Sequence, residues 1–361
     1  MATIEPYETA AGKRYRVRYR TPERRQTTKR GFTSRREAES FLATVEVSKL
    51  KGEYIAPSHG RRTVGELATD WLELKSLSKP SYLATLQGTM NLHVLPRWGR
   101  TPIAEVTTSS VQAWVNKLAA DRSASVVKRA HGILAGILDM AVKDGKLNAN
   151  KARGVTLPRK QRGAHAYLTW QQLIALADES GQHGPFVLFL ATTGLRWGEA
   201  IALYGRHIDR ARQRVTIEQA ATLVGGQHII GTPKTNHMRT VPVAKAVLDK
   251  MPLTLPNVLV WPDPNTGQMR RHPNHDHGWF AEAVKRCQKA YPTFPRVTPH
   301  DLRHTAASLA VSSGANVKVV QRMLGHASAA MTLDQYADLF DHDLDTVSAA
   351  MDAQLERAWT A

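Results

Sequence analysis

Residues 13–20 read KRYRVRYR, an alternation of basic and apolar side chains with a period of two. Only an extended strand presents such an alternation as two uniform faces, so the segment predicts a strand that is basic on one side. A second strand around residues 26–32 follows, and Ser34 with Glu37 predicts the capping box of a helix. The apolar face of the first strand carries Tyr15, Val17 and Tyr19, and its basic face carries Arg14, Arg16, Arg18 and Arg20.

The charge of the chain indicates a polyanionic partner. Its 361 residues contain 49 Lys and Arg against 31 Asp and Glu, a formal net charge of +18. The excess is densest in residues 1–62, which carry 15 basic and 7 acidic side chains. The four-arginine face therefore predicts DNA binding, although a solvated edge strand that blocks aggregation has the same pattern.

Neither a membrane nor an oxidising compartment is indicated. No apolar stretch approaches the roughly 20 residues that a spanning helix needs, and no signal-peptide pattern opens the sequence. The single cysteine, Cys287, excludes an intrachain disulfide and fits a reducing compartment. We therefore expect a cytoplasmic protein with no membrane partner.

The periodicity along the chain predicts an α+β multidomain protein. Thr63 and Glu66 form a second capping box, and helical periodicity then continues to about residue 150. Residues 148–163 contain Pro, Gly and several basic side chains and are interpreted as an interdomain linker. The predicted divisions are 1–56 for a small strand-helix domain, 63–150 for an all-helical domain, 164–340 for a mostly helical domain with a small antiparallel sheet, and 341–361 for a tail helix.

Six polar residues between positions 196 and 336 give the strongest functional signal. Two arginines can each offer a planar fork of donors to phosphate oxygens, a lysine and two histidines can move protons, and a tyrosine can supply a nucleophilic oxygen. No carboxylate cluster that would hold a metal accompanies them. The six are Arg196 in GLRWGE, Lys234 in PKTNHMRTVPV, His300 and Arg303 in HDLRHT, His326 in LGH, and Tyr336 in TLDQYAD.

The chain resembles the tyrosine recombinases, and among them the phage-type integrases. The resemblance lies in the order of these residues and in the motifs GLRWGE and LGHASAAMTLDQYAD. The catalytic part of this resemblance covers about residues 160–345. It implies a site-specific DNA recombinase of a phage or prophage. Such an enzyme cuts and rejoins DNA through a 3′-phosphotyrosyl intermediate, exchanges strands through a Holliday junction, and needs no cofactor or metal. The first two predicted domains resemble the family's arm-type DNA-binding domain and its helical core-binding domain.

The resemblance also implies a role for each polar residue. Tyr336 attacks the scissile phosphorus, while Arg196 and Arg303 stabilise the charge that builds on the phosphate oxygens. His326 donates a hydrogen bond to the phosphate. Glu199, three residues after Arg196, is expected to orient that arginine.

Proton transfer falls to the remaining groups. Lys234 is expected to protonate the leaving 5′-oxygen, with His237 and Arg239 as alternatives in the same loop. His300 is expected to accept the proton of the tyrosine. His304 is interpreted as structural, because its angle on the predicted helix differs from that of His300.

The implied partners are double-stranded DNA attachment sites of core and arm type, a homotetramer on that DNA, a DNA-bending host factor and a directionality factor. Lys128 and Arg129, early in the last helix of the helical domain, are candidate phosphate contacts or an exposed solvated pair. The acidic, amphipathic tail is expected to pack on a neighbouring protomer, with packing in cis as the alternative.

Three other readings of the sequence stay open: an integrase of a conjugative element, a type IB topoisomerase-like enzyme, and a catalytically idle DNA-binding protein. The arm-type domain, as a second DNA-binding module, argues against the topoisomerase, and the intact set of six polar residues argues against the idle protein. One histidine-rich tract has the composition of a metal site but lacks a partner pair at a recognised zinc spacing, so no metal is expected there. The tract contains His272, His275, Asp276 and His277.

Overall fold

The computed structural model divides the chain into two compact units, Met1–Gln161 and Arg162–Ala361. Each unit has its own hydrophobic core, and the first unit has two. No helix in the described part of the chain combines the length and apolarity that crossing a membrane requires. The described residues are 2–22, 24–50, 54, 56, 59–160, 166–233, 237–273, 276–336 and 343–360.

The first unit begins with a three-stranded antiparallel sheet and one helix. Val17 and Tyr19, the apolar side of the alternating segment, are buried with Phe32 against Ala38 and Val45 of the helix. The sheet has one strand more than the sequence predicts, because its first strand is polar and contains a proline. The elements are β1 (Thr3–Thr9), β2 (Gly12–Arg20), β3 (Gln26–Phe32) and α1 (Arg35–Leu50), and the sheet order is β1-β2-β3.

A helical layer with a separate core follows. The predicted capping box is present: the Glu66 amide donates to the Thr63 hydroxyl, and the Thr63 amide donates to the Glu66 carboxylate. Gly136 lies under Trp71, where an added Cβ would come within 2.9 Å of the indole. The helices are α2 (Val64–Glu73), α3 (Pro80–Thr89), α4 (Leu95–Trp98), α5 (Thr108–Asp121) and α6 (Ala124–Lys143), with a π-helical turn at Met90–Val94 between α3 and α4.

Residues 150–157 differ from the linker interpretation. Ala152 is fully buried, and Val155 and Leu157 pack against the helical core. The Asn150 side-chain amide donates to the Ala135 carbonyl at 2.8 Å. Polar side chains of this segment bind α6, so the segment is packed on the helical core and is not a free linker.

The second unit is mostly helical with two small antiparallel sheets, so the predicted fold class is confirmed. Strand β7 pairs with β6, in a sheet separate from that of β8. The sheets are β4-β5-β8 and β6-β7, from β4 (Ile208–Asp209), β5 (Arg214–Ile217), β6 (Ala220–Val224), β7 (Gln227–Gly231) and β8 (Arg239–Pro242). The helices are α7 (Trp170–Glu179), α8 (Gly184–Thr193), α9 (Trp197–Ala200), α10 (Lys245–Leu248), α11 (Trp279–Ala290), α12 (Asp301–Ser312), α13 (Val317–Leu324), α14 (Ala329–Tyr336) and α15 (Asp343–Trp359).

Two left-handed glycines end the helices that precede Arg196 and His326. Gly194 ends α8 with φ +66°, and a Cβ there would come within 2.7 Å of the Leu324 side chain. Gly325 ends α13 with φ +63°. Only glycine adopts this conformation without steric cost, so both turns are fixed by sequence. Arg196 follows Gly194 by two residues, and His326 follows Gly325 directly.

Candidate active site

Arg196 and Glu199 form the first part of the site at the start of α9. The Arg196 amide donates to Glu199 Oε2 at 2.9 Å, and Arg196 Nη1 donates to Oε1 at 3.0 Å. Glu199 is 1% exposed. The carboxylate thus holds both the backbone and the side chain of the arginine, as the sequence predicts.

Arg239, predicted as an alternative proton donor to Lys234, also binds Glu199. Arg239 of β8 donates from Nη1 to Oε1 at 3.0 Å and from Nη2 to Oε2 at 2.6 Å. Burial alone would raise the pKa of Glu199, but the hydrogen bonds and charges of Arg239 and Arg196 hold it below its usual range. Glu199 is therefore ionised and binds two guanidinium groups at once.

Arg303 of α12 is buried beside this pair, with 4% of its surface exposed. Its Nη1 donates to the Gly194 carbonyl and its Nη2 to the Leu324 carbonyl, both at 2.6 Å. Burial, with the charge of Arg196, lowers the pKa of Arg303 to about 9, so the group stays charged at neutral pH. Three guanidinium groups around one carboxylate leave an excess positive charge, which favours an anion.

His326 follows the Gly325 turn. Its Nδ1 lies 2.9 Å from the hydroxyl of the buried Thr332. Burial, and then the charges of Arg303, Arg196 and Arg239, lower the pKa of His326 to about 4. The imidazole is therefore neutral at pH 7 in the DNA-free protein.

Tyr336 ends α14 and is 2% exposed. Its hydroxyl lies 2.8 Å from His304 Nδ1, and its ring lies nearly parallel to that of His326, with the centroids 6.4 Å apart. Burial raises the pKa of Tyr336 to about 12, although the charge of Arg303 acts to lower it. The phenol is protonated at neutral pH and needs a partner to remove its proton.

His304, interpreted from the sequence as structural, contacts the Tyr336 hydroxyl. His300 lies at the start of α12, and its ring centroid is 5.2 Å from that of His304. Residues four apart on a helix differ by only about 40° in angle, whereas residues three apart differ by about 60°. His304 therefore shares the face of His300 more closely than Arg303 does, and the structure brings it to the tyrosine hydroxyl.

The remaining predicted residues are Lys234 and the basic residues of the first unit. Lys234 falls outside the described residues, and its alternative His237 is exposed. In the first unit, Glu5 of β1 pairs with Arg16 at 2.7 Å and with Arg18 at 3.4 Å. Arg14 is half-buried, and the exposed predicted DNA contacts are Arg20, Lys128 and Arg129.

The histidine-rich tract gives no metal site within the described residues. No group of three or more His, Cys, Asp or Glu side chains in that part of the chain could hold an ion. His272 Nδ1 bonds the neighbouring Pro273 carbonyl, and Asp276 pairs with Arg296 at 3.2 Å. His275 lies outside the described residues.

Comparisons with known proteins give a consistent family. The phage integrase family model matches residues 170–342, the phage integrase central domain matches 53–156, and an arm DNA-binding domain matches 8–49. The integrase of Mycobacterium phage D29 is 26% identical in an alignment of 328 residues that covers 84% of this chain and 84% of its own.

Two solved structures share the fold. An integrase of the Tn1549 transposon, in complex with a circular intermediate DNA, has a TM-score of 0.66 at 21% identity and covers 76% of this chain and 95% of its own. A lambda integrase tetramer bound to a Holliday junction has a TM-score of 0.59 at 16% identity and covers 90% of this chain and 96% of its own. The chain belongs to the tyrosine recombinase family, in its phage integrase branch, and is an enzyme that breaks and rejoins DNA.

Proposed function

We propose that the chain is the integrase of a phage or prophage and that Tyr336 forms a 3′-phosphotyrosyl link at an attachment site. The observation that carries the proposal is the meeting of Arg196, Arg303, His326 and Tyr336 in one cluster, in which the buried Glu199 holds Arg196. The covalent link stores the energy of the broken phosphodiester, so rejoining needs no nucleotide.

A suicide substrate tests this function. A nicked duplex carrying the native core site loses its short 5′-hydroxyl strand after cleavage, so rejoining stops and the covalent adduct accumulates. Peptide mapping is expected to place the DNA on Tyr336. An adduct on another residue, or none on any attachment-site DNA, contradicts the proposal.

Arg196 and Arg303 stabilise the transition state. Negative charge builds on the non-bridging oxygens as the phosphorus becomes pentacoordinate, and prepositioned guanidinium groups bind that charge more strongly than they bind the ground state. Arg196 retains 25% exposure of its side chain, which leaves it accessible to DNA. His326, neutral before DNA binds, donates a hydrogen bond to the same phosphate, and Lys234 protonates the 5′-oxygen as it leaves.

Tyr336 gives its proton to His304 as it attacks. The hydroxyl is already 2.8 Å from Nδ1, and the influence of Arg303 on the tyrosine pKa indicates that the phenol lies close to the phosphate-binding arginine. At 2% exposure, however, Tyr336 cannot meet DNA until α14 shifts. The same helix carries Thr332, so one displacement releases both Tyr336 and the Nδ1 of His326.

Replacing Arg196 with Lys is expected to lower the single-turnover cleavage rate about 10²-fold, the effect of losing one prepositioned transition-state donor. Lysine keeps the charge but lacks the planar fork. The rate is measured on the nicked duplex at saturating enzyme. Arg286→Lys, at an ion pair with Glu179 in the same unit, serves as the control and should cleave normally. Cleavage by Arg196→Lys at the control rate rules out the proposed role.

The N-terminal sheet and helix, β1 to β3 with α1, are proposed to bind arm-type DNA. The rest of the chain is proposed to bind the core site. Four arginines on β2 support this role, with Arg14 and Arg20 outside the Glu5 pairs. Lys128 and Arg129, exposed near the start of α6, are proposed phosphate contacts at the core site. Holding two DNA segments with one chain raises the effective concentration of one at the other without any new contact.

Removal of residues 1–62 is expected to leave core-site cleavage intact but to abolish integrative recombination, because the arm contact is lost. The separate core of the N-terminal sheet and helix makes the truncation reasonable. A full-length Arg14→Gln, Arg20→Gln variant is the matched control and should lose arm affinity in band-shift assays, with a weaker salt dependence. Integration by the truncated chain at the full-length rate contradicts the two-site proposal.

The assembly is proposed to be a homotetramer in which α15 packs on a neighbouring protomer. Met351, Leu355 and Trp359, four residues apart along α15, are 64%, 49% and 79% exposed, so one apolar stripe of the helix has no cover in the described part of this chain. A DNA-bending host protein and a directionality factor complete the proposed complex, which acts on the nucleoid of the bacterial host.

A further inference from the structure

Arg239 has every guanidinium nitrogen engaged by the protein. Its two terminal nitrogens bind both oxygens of Glu199, and its Nε donates to the Met323 carbonyl at 3.2 Å. The side chain is 10% exposed. A group bound in this way acts on DNA through its neighbours rather than by contact.

The Met323 bond ties Arg239 to the turn that carries His326. The last carbonyls of a helix have no partner within the helix and carry its negative dipole end. In α13 two consecutive carbonyls of this kind, Met323 and Leu324, accept from Arg239 and Arg303 respectively. Two guanidinium groups thus fix the end of α13 immediately before His326.

Gly325 shows how closely the turn lies on this side chain. A Cβ at Gly325 would come within 2.9 Å of Arg239 Cδ, 3.0 Å of Nε and 3.1 Å of Cζ. The backbone of the turn therefore rests on the Arg239 side chain. A shorter or more mobile side chain at position 239 would remove that support.

We propose that Arg239 is a positioning residue. It holds Glu199, and through Glu199 also Arg196, in a fixed position relative to the α13 turn that carries His326. It lies on β8, which follows Lys234 in the sequence. This inference rests on the proposed function of the cluster and deepens it.

Lysine at this position provides the sharpest test, because it keeps the charge but cannot bind two carboxylate oxygens and a carbonyl at once. Arg239→Lys is expected to bind core-site DNA within about threefold of wild type and to cleave it at least about tenfold more slowly at saturation, since small misplacements of catalytic groups have such costs. Equilibrium band shifts give the affinity, and single-turnover cleavage of the nicked duplex gives the rate.

Arg210→Lys is the matched structural control. Arg210 also caps backbone carbonyls in this unit, donating to Leu248, Met251 and Pro252 at 2.8, 3.0 and 3.0 Å, but it contacts no residue of the cluster in these bonds. It should lose thermal stability without losing cleavage rate per folded molecule. If both variants lose rate only in proportion to their unfolded fraction, Arg239 has no positioning role.

A double-mutant cycle completes the test. Glu199→Gln keeps the shape of the side chain and removes the charge that Arg239 holds. If Arg239 acts through Glu199, the two substitutions together should slow cleavage by much less than the product of their separate effects. Multiplicative effects overturn the inference. A wild-type enzyme that forms no adduct would instead count against the proposed function itself, so the two failures are distinguishable.

Discussion

Tyr336→Phe is expected to form no covalent adduct with the nicked core-site duplex, while its affinity for that duplex stays within about twofold of wild type. The substitution removes only the attacking oxygen, and the buried ring keeps its packing against His326 and Tyr167. Removal of a nucleophile leaves no alternative path to the phosphotyrosyl link. Denaturing gels of the DNA, with and without protease, measure the adduct.

Tyr167→Phe is the matched control for this variant. The Tyr167 ring lies 6.5 Å from that of Tyr336 in the same core, so the two substitutions remove one hydroxyl each from neighbouring sites. The control should form adduct as wild type does. A protease-sensitive, SDS-resistant adduct in Tyr336→Phe shows that another residue attacks the DNA.

Local chemistry made much of the fold predictable. The alternation in β2 and the Thr63 capping box depend on neighbours in sequence, and both appear as predicted. Strand β1 does not, because its Pro6 and its glutamates argue against a strand. It forms by pairing along β2, with Glu5 binding Arg16, and a proline is tolerated on an edge strand.

The site shows the same division. Sequence words identify Arg196, Arg303, His326 and Tyr336, but not which groups bind one another. The bond of Arg239 to Glu199 spans 40 residues and depends on how β8 packs against α9 and α13. No local signal carries that information. The closeness of His304 to His300 follows from helix geometry, since residues four apart differ by a smaller rotation than residues three apart.

His304→Gln is expected to lower the cleavage rate about 10²-fold to about 10⁴-fold, the usual range for loss of a positioned general base. Glutamine keeps a hydrogen-bonding group near the Tyr336 hydroxyl but cannot accept a proton. Single-turnover cleavage of the nicked duplex at saturating enzyme measures the rate.

The matched variant is His300→Gln, on the same helix one turn earlier. It removes the other candidate acceptor, whose ring lies 5.2 Å from that of His304, whereas the Tyr336 hydroxyl contacts His304 Nδ1. Single-turnover rates of both variants separate the two assignments, since only loss of the true acceptor costs the full general-base effect. If His300→Gln loses that rate while His304→Gln cleaves as wild type does, the proton passes to His300. The contact at 2.8 Å would then belong only to the DNA-free protein, in which α14 keeps the nucleophile buried.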